Sequence, residues 1–329
     1  MYINETKLKS LSIFSLMNGN LGNLNNQYII LRQIEPNKFF AKKNQSNEEY
    51  LIEFRNNNNN NNDNLHANLI NLFNALNNAY NPNILRFIDE GNGQLALNNE
   101  PPRNGNYFVF EKAPKSNLYY YLHYQGGFSE RHAKLIFKKI LNGVAAIHNA
   151  NYCHLDLKPS NILFDAYFNP KISGFNSCRL NANNLNGRVG TQNYQAPEIL
   201  NGQPYDGIKC DIFSLGLILF NLVSGIMGFA SARNNDPHYQ LIINHNYEQY
   251  WNSEEFNGLN LSQDFKDLVI RLFDHDPNQR PTIDQILQSN WMKEVMTMNN
   301  EQMQALDREV HDELDNIYHK FNVLYDDHY

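Results

Sequence analysis

The sequence predicts an α+β chain of two lobes, a small strand-rich lobe followed by a larger, mainly helical one. Three observations predict it. The 329 residues suit roughly two domains and are ample for a sizeable core. Short segments that alternate apolar and polar dominate the first part of the chain, up to about residue 113. Beyond it, apolar residues recur every 3 or 4 positions, as helices require.

The elements follow in order. Residues 8–16 alternate (LKSLSIFSL), and residues 27–33 and 38–43 flank the turn Glu35-Pro36-Asn37, which predicts a hairpin. Seven asparagines then run unbroken from Asn56 to Asn62, out of 56 in the whole chain. Asparagine is a weak helix and strand former, so the run reads as an insertion that buries nothing. Leu65, Leu69, Leu72, Phe73 and Leu76 give the period of a helix of about 15 residues. Strands fit residues 84–89 and 107–110. After Pro114, Ser129 is the N-cap of a long helix reaching Asn149. Short apolar pieces stand at 162–164 and 171–173, and further helices fit 209–224, 262–274 and 282–288. The most apolar stretch, residues 212–229, is barely long enough to span a bilayer and carries Ser, Asn and three Gly, so a buried core helix is the better reading. In the tail, Met303, Leu306, Val310, Leu314, Ile317, Phe321 and Leu324 step by 3 or 4 as a heptad seam does. That stripe packs on the protein's own surface, or it serves as a dimer seam or a docked regulatory helix. The expected division is 1–113 for the small lobe with the insertion at 56–62, 114–293 for the large lobe, and 294–329 for an amphipathic helical tail.

Composition narrows the function. Apolar residues make up 42% of the chain and the formal net charge is −7, with no block of Lys or Arg. Nucleic acid and an anionic membrane surface are therefore not expected partners. Cys153, Cys178 and Cys210 are odd in number and lack metal-ligand spacing, so they read as free thiols in a reducing, cytoplasmic setting. The opening MYINETKLKS lacks the apolar core of a signal peptide.

The chemistry is concentrated in His154-Leu155-Asp156-Leu157-Lys158-Pro159-Ser160-Asn161. A carboxylate, an amine and an amide stand within six residues between two apolar pieces. Phosphoryl transfer needs such groups together: a carboxylate to accept the substrate hydroxyl proton, a Lys to neutralise the moving phosphoryl group, an amide oxygen to hold a metal ion.

This segment resembles the catalytic loop of eukaryotic-type protein kinases, H-R-D-L-K-x-x-N. Gly190 to Glu198 (GTQNYQAPE) resembles the end of the family's activation segment, Asp211 to Gly216 (DIFSLG) the start of its central helix, and Arg280-Pro281-Thr282 its late Arg. The resemblance spans about residues 8–293 and is closest to calmodulin-dependent-type Ser/Thr kinases of protists. It implies a bilobal kinase fold and, as cofactors, ATP with Mg²⁺. By resemblance Asp156 would be the catalytic base, with Lys158, Asn161 and Thr191 completing the catalytic set; Asn161 would ligate metal and Thr191 would bond Asp156 and Lys158. Asp211 would brace the catalytic-loop backbone, and Arg280 would pair with Glu198. In the small lobe Phe40-Ala41-Lys42-Lys43 resembles V-A-I-K, so Lys43 would reach the α and β phosphates. Met17 to Gly22 aligns with G-x-G-x-x-G, leaving Gly19 and Gly22 as its glycines. Leu24 and Ala41 would roof the adenine with Leu163 below; Phe110 would be the gatekeeper, and Glu111 to Ala113 the hinge.

Three departures stand out. Gly174 occupies the place of the metal-binding Asp of D-F-G (Gly174-Phe175-Asn176). No acid lies between Asn64 and Asn83 to pair with Lys43, and Glu53 would serve only if residues 48–55 formed the helix. Leu155 replaces the Arg of H-R-D, and residues 180–189 contain no Ser, Thr or Tyr, so switching by phosphorylation of that stretch is excluded. The expectation is a kinase-like domain with impaired catalysis, weak or metal-independent nucleotide binding and a scaffold role toward a protein partner. The alternative is a divergent active Ser/Thr kinase acting on protein hydroxyls.

Overall fold

The computed structural model describes residues 21–56, 62–180 and 183–326. Residues 8–16, Met17 and Gly19, and the middle of the asparagine run lie outside them. The chain divides into two compact units, one of residues 1–78 and 85–114, the other of residues 79–84 and 115–329.

In the small unit six antiparallel strands close a barrel. They are β1 (Gly22–Leu24), β2 (Tyr28–Glu35), β3 (Lys38–Lys43), β4 (Glu49–Asn56), β5 (Phe87–Leu97) and β6 (Arg103–Glu111). Their order around the barrel is β1-β2-β3-β4-β6-β5. The β2–β3 hairpin turns at Pro36-Asn37, with Glu35 opposite Lys38, as the sequence predicts. Period-2 alternation sends Leu24, Tyr28, Ile30, Phe39, Ala41, Ile52, Phe54 and Val109 into one buried core cluster. Helix α1 (Asn62–Ala79) covers the other face of the sheet. Its Phe73 ring lies 4.9 Å from Phe87, 5.4 Å from Phe108 and 5.3 Å from Phe110. With both faces covered, the run Tyr107 to Phe110 on β6 is buried throughout rather than alternating.

One alternative is excluded here and one expectation is corrected. Residues 49–56 form a strand and not a helix, because Tyr50 to Glu53 pair with both β3 and β6. Glu53 therefore sits in the middle of the sheet. Leu24 and Ala41 are fully buried in the barrel core, so neither side chain is available as an adenine roof. Gly22 has its own structural reason. It pairs with both Ile30 and Leu97 at φ 150°, and a Cβ there would come within 2.0 Å of the Ala96 carbonyl oxygen.

The large unit is mainly helical. Helices α2 (Leu118–Gln125) and α3 (Glu130–Asn149) lead to a short β7 (Tyr152–Cys153). Then come β8 (Ile162–Phe164), β9 (Pro170–Ile172) and β10 (Arg179–Leu180); β8 pairs with β9 and β7 with β10. The chain ends in α4 (Pro197–Leu200), α5 (Gly207–Ser224), α6 (Pro237–Ile243), α7 (Tyr247–Trp251), α8 (Gln263–Leu272), α9 (Ile283–Leu287), α10 (Lys293–Thr297) and α11 (Asn300–Asp326). Ser129 caps α3, its Oγ accepting the His132 N–H at 3.2 Å. Helix α5 is long and apolar enough to cross a membrane by length and composition, but it lies mostly buried inside the unit. The three cysteines are buried, and none forms a disulfide.

Helix α11 settles the tail stripe. Leu306, Val310, Leu314 and Ile317 are buried in the chain's own large unit. Around them Arg131 meets Glu309 at 3.4 Å, Lys115 meets Asp315 at 3.4 Å, and the Tyr124 and Phe321 rings stack at 4.4 Å. Self-association through this seam is therefore not supported: Leu306, Val310, Leu314 and Ile317 are already covered within the large unit, where the helix packs on α2 and α3.

Candidate active site

The segment between β7 and β8 is set by a buried carboxylate. Asp211, fully buried on α5, accepts the main-chain N–H of His154 at 2.7 Å and of Leu155 at 2.8 Å, and its Oδ2 lies 2.9 Å from His148 Nε2. These bonds hold Leu155 at φ 61°, a left-handed conformation unusual for a bulky residue. His148, at the C-terminal end of α3, is a member of this brace that the sequence pattern did not reveal; nothing in its helical spacing distinguishes it.

His154 is buried and neutral. Burial pushes its imidazole pKa down, outweighing the opposing pull of Asp211. Its Nε2 lies 2.9 Å from the Ser173 carbonyl, which can only accept, and its Nδ1 accepts the Asp156 N–H at 3.2 Å. Those two partners fix the tautomer with the proton on Nε2. The ring stands 5.5 Å from that of Phe175.

Asp156 is the centre of the site. Its Oδ1 accepts the Thr191 N–H at 2.8 Å and the Thr191 hydroxyl at 2.7 Å. Its Oδ2 meets the Lys158 ammonium at 3.0 Å and the Asn161 amide at 3.1 Å. Lys158 also donates to Thr191 Oγ1 at 2.6 Å. Asn161, almost fully buried, gives the same amide nitrogen to the Asp156 carbonyl at 2.7 Å, and two acceptors on one side identify that atom as the NH₂. Asp156, Lys158, Asn161 and Thr191 thus come together in one network.

Gly174 lies directly against it. The residue sits at φ 77°, ψ 45°, and a Cβ added there would stand 2.5 Å from Asn161 Cγ and 2.5 Å from its Oδ1. The Asn161 side chain occupies the space next to the missing acid. Further out, Arg280 grips Glu198 through two bonds of 2.7 and 2.9 Å, both residues buried. Burial alone would raise the Glu198 carboxyl pKa, but the Arg280 bonds and charge outweigh it and hold the pKa low.

The small-unit candidates are placed differently. Lys43 is the exposed last residue of β3, and the strand that leads into α1 is β4. Phe110 is buried against Phe73, and Glu111 accepts the Arg86 N–H at 3.0 Å. Ala113 is buried just past β6, while Leu163 is half-buried on β8 of the large unit.

A barrel-type strand unit, a helical unit, and an Asp–Lys–Asn–Thr network braced from a central helix define a phosphotransferase-type fold. A family model described as protein kinase domain matches residues 32–292, and the chain belongs to that family, of the eukaryotic Ser/Thr type. It is similar to a probable serine/threonine-protein kinase KCC4 of Saccharomyces cerevisiae, 34% identical over 199 residues, which are 60% of this chain and 19% of that protein. It is also similar to CBL-interacting serine/threonine-protein kinase 26 of Arabidopsis thaliana, 33% identical over 192 residues (57% of this chain, 42% of that one). Developmentally-regulated protein kinase 1 of Dictyostelium discoideum is 30% identical over 210 residues, covering 61% of this chain and 28% of that protein. The chain thus spans less than half the length of these curated relatives. Membership implies ATP and Mg²⁺ use as the general chemistry of the family.

Proposed function

We propose that this Ser/Thr-kinase domain is impaired in phosphoryl transfer and acts by presenting its surface to a protein partner. The observation that carries the reading is Gly174 against Asn161. Mg²⁺ is usually held by one or two carboxylates together with substrate phosphates. Here Gly174 offers no side chain, so the Asn161 amide oxygen, a neutral ligand, stands without the acid that the family places beside it. The Asp156 carboxylate is met by the Lys158 ammonium. With no acid at 174, the residues present are a poor fit for the metal. Transition-state charge stabilisation of this kind is worth several kcal/mol, so about 4 kcal/mol lost lowers the rate roughly 10³-fold.

A second reading, a divergent active kinase, is favoured by one observation: Asp156, Lys158 and Thr191 are mutually bonded in an arrangement suited to proton acceptance from a hydroxyl. The test is phosphate transfer to a generic protein substrate by the wild type and by Asp156→Asn. Absence of transfer from both supports impairment; transfer by the wild type that Asp156→Asn abolishes overturns it. If impairment holds, the protein works through binding, and any nucleotide bound is held weakly or without metal dependence.

A further inference from the structure

In protein kinases a turn over the phosphates comes first, the phosphate-contacting Lys follows on the third strand, and the helix comes next. The family match in this chain opens at Arg32, inside β2. The β2–β3 hairpin is therefore the counterpart of the glycine-rich turn, and β4, which runs on toward α1, is the counterpart of the lysine strand. Strand β1 precedes the match. Alternation then selects the position within β4. Ile52 and Phe54 point into the barrel core, so Leu51 and Glu53 face the side that α1 covers. Tyr50-Leu51-Ile52-Glu53 keeps the V-A-I-K spacing, with an acid in the last place.

We propose that Glu53 stands where the family's phosphate-binding Lys stands, and that this charge inversion makes the small unit discriminate against nucleoside polyphosphates. The proposal rests on the family membership and extends the impaired reading from the metal to the nucleotide. Glu53 is only 4% exposed, and its Oε1 has no hydrogen-bond partner. Its cross-strand neighbours are Lys38 and Phe108. The Lys38 ammonium stands 3.2 Å from Glu35, and the Phe108 ring is stacked under His66 of α1 at 4.8 Å. Burial pushes the Glu53 carboxyl up, more strongly than Lys38 and Arg55 pull it down. Neutral or ionised, the group supplies no cation to a triphosphate. Lys43 is a strand away, exposed, and does not take its place.

The test is the affinity of ATP, ADP and adenosine for the full chain by calorimetry, with EDTA present, for wild type, Glu53→Gln, Glu53→Lys and Lys43→Ala. The wild type is expected to bind ATP no more tightly than adenosine. Glu53→Gln should tighten ATP severalfold and Glu53→Lys at least tenfold, with adenosine unchanged; Lys43→Ala should change neither. Glu53→Gln is nearly isosteric and decides the matter if the buried Lys prevents folding. A wild type that prefers ATP over adenosine tenfold or more, or no gain for ATP in a folded Glu53 variant, overturns the proposal. The ATP-to-adenosine ratio is read without turnover, so it stands apart from the transfer assay: phosphate transfer would end the impaired reading whatever the ratio.

Discussion

At Gly174 the backbone lies in the left-handed region at φ 77°, where a Cβ would also strike the Asn161 side chain. Gly174→Ala should therefore cost about 1–2 kcal/mol, from the strained φ and the displaced Asn161 amide. Asp tolerates that φ better, but its carboxyl must still push Asn161 off Asp156. Gly174→Asp should thus lower the thermal midpoint in the absence of ligand even if it restores a metal ligand, and calorimetric unfolding of the two variants checks both. The Glu198–Arg280 pair belongs to the same scale. Removing one member of a buried ion pair strands the other, which typically costs about 3–5 kcal/mol, so Arg280→Ala should lose that much in urea unfolding at pH 7. The pH dependence has a definite sign. The folded pKa of Glu198 is lowered, so its contribution is fully present above the ordinary carboxylate range and is lost as pH falls through the folded value. The Arg280→Ala deficit should accordingly shrink at low pH, and an undiminished deficit below that value would contradict this account.

Helix α11 and strand β4 show what an element's sequence reveals and what it leaves open. The stripe on α11 was legible as a 3–4 step, and the structure buries Leu306, Val310, Leu314 and Ile317. Which surface covers it was not legible, because α2 and α3 lie more than 150 positions away in the chain. The ion pairs around it are mostly solvent-exposed and each worth about 0–1 kcal/mol, whereas truncating a buried Leu typically costs about 2–5 kcal/mol. Leu314→Ala should therefore destabilise the protein several times more than Glu309→Gln, and denaturant midpoints of the two variants decide it. Strand β4 was not assigned from the sequence, for the opposite reason. Its apolar run Tyr50-Leu51-Ile52 with Phe54 lacks a clean alternation, since both faces are covered, and short runs of that kind do not separate strand from helix. Its place between β3 and β6 depends on pairing with residues 103–111, which no local pattern encodes. The catalytic segment was the reverse case: Asp156, Lys158 and Asn161 are near neighbours in sequence, so local order alone brought the chemistry into view, and only the fold showed Asn161 turned onto Asp156.

For the whole molecule, the Asp156–Lys158–Thr191 network is bonded as the family resemblance implies, and the departures lie in the groups that would meet metal and phosphate. Asp156 is met by Thr191, Lys158 and Asn161; the acid that would complete a metal site is absent at Gly174; and a carboxyl occupies the small unit's lysine strand. With no acid at 174 for the metal and a carboxyl in place of the phosphate-binding cation, the domain should be nearly as stable empty as in the presence of nucleotide. The magnitude makes this measurable. A ligand present at 100 times its Kd adds about 2.7 kcal/mol of stability. For a domain of 150–250 residues each kcal/mol moves the midpoint by roughly 2–4 °C, so a well-bound nucleotide would raise it by about 5–10 °C. Millimolar ATP with Mg²⁺ is expected to shift this protein by less than about 2 °C, and EDTA to make no difference. A shift in the larger range that EDTA abolishes would mean that metal is held without an acid at 174, and would overturn the impaired reading.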